Sequence, residues 1–136
     1  MSFVMVRRRF LAGVFAVMGL VIVLGACSSD SPVKRISAEE FQQKIEEEPG
    51  VIIDVRTKDE YNAGHLAMVD EHHDLLNGDF EAHLKSLDKE KTYYLYCRSG
   101  NRSGKAADLM AQNGFKKVYN IGGFEDLVQA GLESEE

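Results

Sequence analysis

Val51-Ile52-Ile53-Asp54-Val55 is the segment that most restricts the architecture open to this chain. A β-branched, nearly unbroken apolar run of this kind reads as a strand covered on both faces, and such strands belong to parallel sheets with helices above and below. The flanking segments agree. Ser37-Ala38-Glu39-Glu40 before the run and Thr57-Lys58-Asp59-Glu60 after it both have capping-box spacing, so each predicts a helix start. Ala38, Phe41 and Ile45 mark one face of the first helix, which Pro49 ends; the second is short and closes near Gly64. Phe80, His83, Leu84 and Leu87 predict a further helix after the Asn77-Gly78 turn. Thr92 to Tyr96 reads as a strand. Ser103 to Asn113 reads as a helix with Ala106, Leu109 and Met110 inward and Gly114 as its cap. Lys117 to Asn120 gives a last strand, and Gly122-Gly123 turns into a helix carrying Phe124, Leu127 and Val128. The class is α/β, with a mainly parallel central sheet flanked by helices on both faces.

The first 33 residues do not fit that pattern. Arg7-Arg8-Arg9 is a basic cluster, Phe10 to Val23 is uncharged and apolar, and Leu24-Gly25-Ala26-Cys27 closes the run. That order is the layout of a secretory signal peptide, and the apolar stretch is short for a membrane-spanning helix. The Leu-Gly-Ala-Cys ending resembles the bacterial lipobox. The resemblance implies cleavage before Cys27, lipid on its sulfur and acylation of the new amino terminus, an anchor of several chains. Residues 1–26 are then the signal peptide and 27–33 a lipidated, Ser-rich tether. Residues 34–132 form the domain and 133–136 an acidic tail. The expected location is the cell envelope, on the periplasmic side of a membrane in a Gram-negative cell. Arg7-Arg8-Arg9-Phe10-Leu11 also resembles part of a twin-arginine signal, although ordinary secretion suits Val6 and Ala12 better.

Charge narrows the partners. Removal of the leader leaves 13 bases against 22 acids, which argues against nucleic acid or an anionic bilayer face as the main partner. The chain has 2 cysteines, Cys27 and Cys97, so lipidation of Cys27 leaves one thiol and no internal disulfide. A lone thiol in an exported protein asks for a functional explanation.

Its surroundings supply one. Tyr96-Cys97-Arg98-Ser99-Gly100-Asn101-Arg102-Ser103 joins a strand to a helix, and α/β sheets bind ligands at the carboxyl ends of their strands. Backbone N–H groups of such a loop converge on the sulfur, and the helix starting near Ser103 points its positive end there. Arg98, Arg102 and Lys105 add charge. All three features favour the thiolate, the form that attacks. Gly100 lets the loop curl with positive φ, and Gly104 lets helix and sheet approach closely. Bases gathered here in an acidic domain suit a small anionic substrate.

Cys97-Arg98-Ser99-Gly100-Asn101-Arg102-Ser103 is similar to the active loop of single-domain rhodaneses. Asp54-Val55-Arg56 with Glu60-Tyr61-Asn62-Ala63-Gly64-His65-Leu66 resembles the family's upstream motif, and Asn120-Ile121-Gly122-Gly123-Phe124 the downstream one. The resemblance implies a rhodanese-like fold and double displacement without a metal or organic cofactor. Cys97 attacks a sulfane donor such as thiosulfate and becomes a persulfide, and a thiol, cyanide or protein acceptor removes the sulfur. Arg98 and Arg102 hold the donor's charge, within a substrate-binding loop of Arg98, Ser99, Gly100, Asn101, Arg102 and Ser103. Family phosphatases use a loop one residue longer than Cys97 to Arg102. Ala67-Met68-Val69-Asp70 departs from the small pair and Asn usual after Gly64-His65-Leu66, and Phe124 stands where Trp is frequent.

Other residues read as structural. Asp54 accepts backbone bonds at a strand end, Arg56 is placed to pair with Glu60, and His65 braces its loop. Asp70-Glu71-His72-His73-Asp74 has donors that suit a metal, but adjacent histidines in an acidic stretch read as solvated surface, so no metal is assigned. Two functions compete with the enzyme: a tethered sulfane-sulfur carrier for a partner protein, and a thiol redox or arsenate-reductase-like activity. The redox reading lacks a second thiol.

Overall fold

The computed structural model describes residues 31–136; the basic cluster, the apolar run and Cys27 lie outside the described residues. Five strands form one parallel sheet in the order β1-β6-β5-β2-β4. They are β1 (Val33–Arg35), β2 (Val51–Asp54), β4 (Glu71–His72), β5 (Thr92–Cys97) and β6 (Lys117–Gly123). The apolar run at β2 is central, as its sequence requires, with β5 on one side and β4 on the other.

Period-two alternation along the central strands sends side chains to two cores. Ile53, Val55, Tyr93, Leu95, Cys97 and Val118 face Ala106, Ala107 and Met110 of α4 (Asn101–Gln112), with Phe80 of α3 (Asp79–His83). Ile52, Tyr94, Tyr96, Tyr119 and Ile121 face Ala38 and Phe41 of α1 (Ala38–Glu47) and Leu127 of α5 (Phe124–Gln129). Helices therefore cover both faces of the sheet, the expected class. The tyrosines belong to the strands: Tyr93 donates to the Asp88 carbonyl at 2.7 Å and Tyr94 to the Glu48 carbonyl at 2.6 Å.

Both capping boxes form, opening α1 and α2 (Lys58–Asn62). The helix expected from Phe80 to Leu87 breaks instead into α3 and a single 3₁₀ turn, Leu84–Ser86. α4 starts at Asn101 rather than near Ser103, because Gly100 takes φ 89° and serves as its N-cap. β6 runs through Gly123, past the predicted end at Asn120. Leu95 pairs with Asn120 but Tyr96 with Gly122, so Ile121 is an extra residue and Gly122 takes φ 95° at the resulting bulge.

Two segments read as outside the elements are in strands. Val33 to Arg35 pairs with Val118 to Asn120, extending the sheet into the stretch assigned as tether. In the acidic tail, β7 (Ser134–Glu135) pairs antiparallel with β3 (His65–Leu66), and Glu135 lies 3.5 Å from His65 Nε2. Neither carries a local signal strong enough to mark it, because short edge strands are defined by the partner they find.

Candidate active site

Cys97 is the last residue of β5 and is fully buried. The chain then loops over the end of the sheet and enters α4. Gly123 of the neighbouring strand is where the loop crosses: a Cβ there would lie 2.5 Å from the Arg98 carbonyl oxygen, so only glycine admits the crossing. The Gly100 N–H points at Cys97 Sγ at 3.1 Å, and Ser103 Oγ stands 3.4 Å from it. Burial by itself pushes the thiol up. The Ser103 hydroxyl and the backbone N–H groups of Ser103, Ser99 and Gly100 outweigh it and hold Cys97 below the usual cysteine value. The cradle that the loop sequence predicts is thus present, and its donors are mostly main-chain.

The arginines divide. Arg98 is exposed and makes no hydrogen bond or ion pair among the described residues. Arg102 is engaged: its two terminal nitrogens each donate to a Glu60 carboxylate oxygen at 2.7 Å, a bidentate clamp across 42 residues of sequence. Its charge still acts on Cys97. Ser99 and Asn101 are exposed on the loop, and Ser103 is buried beneath it.

The expected Arg56–Glu60 pair does not form. Arg56 is turned inward onto Asp54, with Nη2 2.6 Å from Oδ2 and Nε 3.0 Å from both oxygens, and Nη2 also donates to the Gly64 carbonyl at 2.7 Å. Its guanidinium carbon lies 4.4 Å from the centre of the Phe124 ring. Asp54 is fully buried and two residues away, and a buried carboxylate needs its cation at once; Glu60 is left for Arg102. Glu60 is consequently depressed to about 2, chiefly by the Arg102 hydrogen bonds.

The segment after His65-Leu66 follows its own course. Asp70 exchanges bonds with Ile52, accepting its N–H at 2.8 Å on Oδ2 and donating its own N–H to its carbonyl at 2.9 Å. Asp70 to Asp74 is not the solvated stretch its sequence suggests. His73 and Asp74 are buried, His73 Nε2 is 2.6 Å from Glu71 Oε2, and His72 Nε2 is 2.8 Å from the Arg56 carbonyl. Among the described residues no three His, Cys, Asp or Glu side chains gather as a metal-binding group. His65 braces its loop, with Nδ1 3.0 Å from the Tyr61 carbonyl and its ring stacked on Tyr61.

Two residues without a sequence-based role reach the loop. Arg35, at the end of β1, lays its guanidinium against Gly100, where a Cβ would come within 2.8 Å of Nη2. Asn120 bonds both Gly100 and Ser103 from below. Asn120 belongs to the Asn120-Ile121-Gly122-Gly123-Phe124 motif, whereas Arg35 lies in no sequence pattern.

The site is thus a buried sulfur at a strand end, approached by N–H donors that favour its thiolate, with Arg98 following it on the loop and the Arg35 guanidinium against Gly100. Known proteins resemble this chain in sequence and fold. The rhodanese-like domain family matches residues 37–130. The thiosulfate sulfurtransferase GlpE of Coxiella burnetii is 37% identical over 93 residues, 68% of this chain and 84% of that protein. A Bacillus subtilis protein provisionally named as the sulfur carrier YrkF is 38% identical over 92 residues, 67% of this chain but 48% of its own length. The crystal structure of a rhodanese-like domain protein from Staphylococcus aureus superposes with a TM-score of 0.62 at 30% identity, covering 76% of this chain and 99% of that one. Fold, loop and family match converge on one conclusion: this chain belongs to the rhodanese-like domain family.

Proposed function

We propose that this protein is a sulfurtransferase that carries sulfane sulfur on Cys97. The observation that carries the reading is the sulfur's cradle: a buried Cys97 Sγ, surrounded by N–H donors that favour the thiolate, at the end of a central strand. The thiolate attacks the outer sulfur of thiosulfate; the S–Sγ bond forms as the S–S bond to the sulfonate breaks, and sulfite leaves with the electron pair. Cyanide or a thiolate then attacks the outer sulfur of the Cys97 persulfide, and the Cys97 thiolate is restored. The persulfide anion inherits the amides of Ser99, Gly100 and Ser103. Of the two loop arginines, Arg98 is the one with no carboxylate partner among the described residues, and it is the cation offered to the anionic donor. Arg102 contributes chiefly through its field, because Glu60 holds its guanidinium by one N–H from each terminal nitrogen.

The test uses the full chain in detergent with thiosulfate. Intact mass spectrometry finds one added sulfur atom on the protein and none on a Cys97→Ala variant, and thiocyanate accumulates when cyanide is present. A folded protein with a free thiol that takes sulfur from neither thiosulfate nor polysulfide would sink the reading. The name of the Bacillus subtilis relative supports a second outcome, a carrier that loads sulfur but releases it only to a partner protein. Loading without thiocyanate formation is its signature.

The anchor is part of the same proposal, supported by Leu24-Gly25-Ala26-Cys27 at the end of the apolar run. Labelled palmitate incorporated by the native chain and lost in Cys27→Ala is the expected result, with the domain on the outer side of the cytoplasmic membrane. An unlabelled native chain would remove the anchor and leave the chemistry standing.

A further inference from the structure

The side chain of Asn120 is 4% exposed, and its bonds lead to the groups around the sulfur. Nδ2 donates to the Gly100 carbonyl at 2.8 Å; Oδ1 accepts from Ser103 Oγ at 2.8 Å and from the Gly122 N–H at 3.1 Å. Gly100 and Ser103 are also the residues whose N–H and hydroxyl approach Cys97 Sγ. The amide fits there because α4 presents Gly104 to it: a Cβ at Gly104 would stand 3.2 Å from Nδ2.

Ser103 has one hydroxyl proton and two acceptors within reach. At 2.8 Å against 3.4 Å the Asn120 oxygen is the nearer, but Sγ attracts the proton more strongly once it is charged. Turning the hydroxyl toward the sulfur leaves no buried acceptor stranded, since Oδ1 keeps the Gly122 N–H. A protonated sulfur can in turn donate to Ser103 Oγ while Ser103 donates to Asn120. Both settings of the rotor are satisfied.

We propose that Asn120 is the positioning residue of this cradle, holding the Ser103 hydroxyl between its own Oδ1 and Cys97 Sγ so that the proton turns to the sulfur when the sulfur is charged. No proton changes owner in the step; one O–H rotates. The inference rests on the reading of Cys97 as the working thiolate. Asn120 itself touches no substrate. The fixed charges on the surrounding elements are Arg98 on the loop, Arg35 from β1 against Gly100, Arg102 with its Glu60 from α2, Asp74 after β4, and the Asp54–Arg56 pair at the end of β2. A neutral substitution at Asn120 alters none of them.

The experiment titrates Cys97 in the full chain by its alkylation rate against pH, with no sulfur donor present. Asn120→Leu releases the hydroxyl to the sulfur and moves the titration down by about half a unit, roughly a threefold faster reaction at pH below the midpoint. Asn120→Asp holds the proton more firmly, adds negative charge, and moves it up. In a Ser103→Ala background, itself shifted up, the Leu effect disappears. A residue that merely props the loop would move both variants in one direction, equally with and without the Ser103 hydroxyl, and that result would overturn the proposal. If Asn120→Leu does not fold, the Asp variant decides: its upward shift must shrink in the Ser103→Ala background. A titration that behaves as described in a protein that never accepts sulfur would defeat the proposed function and leave this inference intact.

Discussion

The starts of α1 and α2 are written in the same local code and end in different roles. Ser37 and Glu40 cap each other, with Glu40 Oε2 accepting the Ser37 N–H at 2.8 Å and Ser37 Oγ accepting the Glu40 N–H at 3.1 Å. Thr57 and Glu60 repeat the pattern at 3.0 and 3.3 Å. There the likeness stops. Glu40 is exposed, and no further hydrogen bond or ion pair of its carboxylate is found among the described residues. Glu60 also takes both terminal nitrogens of Arg102, fastening the start of α2 to the first turn of α4 beside Cys97. A capping carboxylate has lone pairs to spare; only its place in the fold decides whether something uses them.

Substitutions can break this contrast. Glu60→Ala removes the cap and leaves Arg102 half-buried without its partner. The expected loss is about 3 kcal/mol, read as a drop in denaturation midpoint at unchanged m-value. The titration of Cys97 should move as well, because Arg102 is then free to turn toward the loop. A loss no larger than that of an exposed cap would show that the clamp contributes nothing.

In Glu60→Gln the glutamine preserves the capping box and deletes only the charge. We expect about 1–2 kcal/mol, less than for alanine, by the same measurement. Acid does this to the native chain. Glu60 is depressed to about 2 in the folded protein, against about 4.3 when unfolded, so unfolding takes up a proton between those values. The contribution of the pair is therefore complete above about pH 4.3 and lost as pH falls toward 2. Tm should fall more steeply over that window in the native chain than in Glu60→Gln; parallel curves would count against the assignment.

Glu40→Ala is the smallest of the set. It loses one exposed cap bond at the start of a ten-residue helix whose Phe41 stays buried, and should lower Tm by about 3 °C, with the Cys97 titration unmoved. A change in Cys97 reactivity in this variant would mean that the two caps are not independent.

Much of the site was legible before the fold because its chemistry is local. The thiol, the loop glycine and the helix that follows lie within one short stretch, and a strand–loop–helix junction aims its N–H groups wherever it occurs. What failed were pairings between distant segments. Arg56 and Glu60 are four apart and oppositely charged, a reasonable pair by sequence, yet each has another partner, because Asp54 is buried beside Arg56 and the end of β5 delivers Arg102 to Glu60. His73 and Asp74 read as solvated by sequence, yet both are buried where the chain runs from β4 to α3, with His73 stacked on His83. Asn120 and Arg35 entered the site only through the order of the strands, β6 beside β5 and β1 beside β6.

The class, the two capped helix starts, the central strands and the loop that holds the thiol could be read from the residues alone, for each rests on periodicity, caps or a motif within a few residues. The packing of the elements settled which of the two loop arginines is engaged, what the second capping glutamate holds, and what shares the Ser103 proton. Those outcomes depend on competition among charges and polar groups that meet across the sheet, and burial selects the pairs that leave none of them unsatisfied.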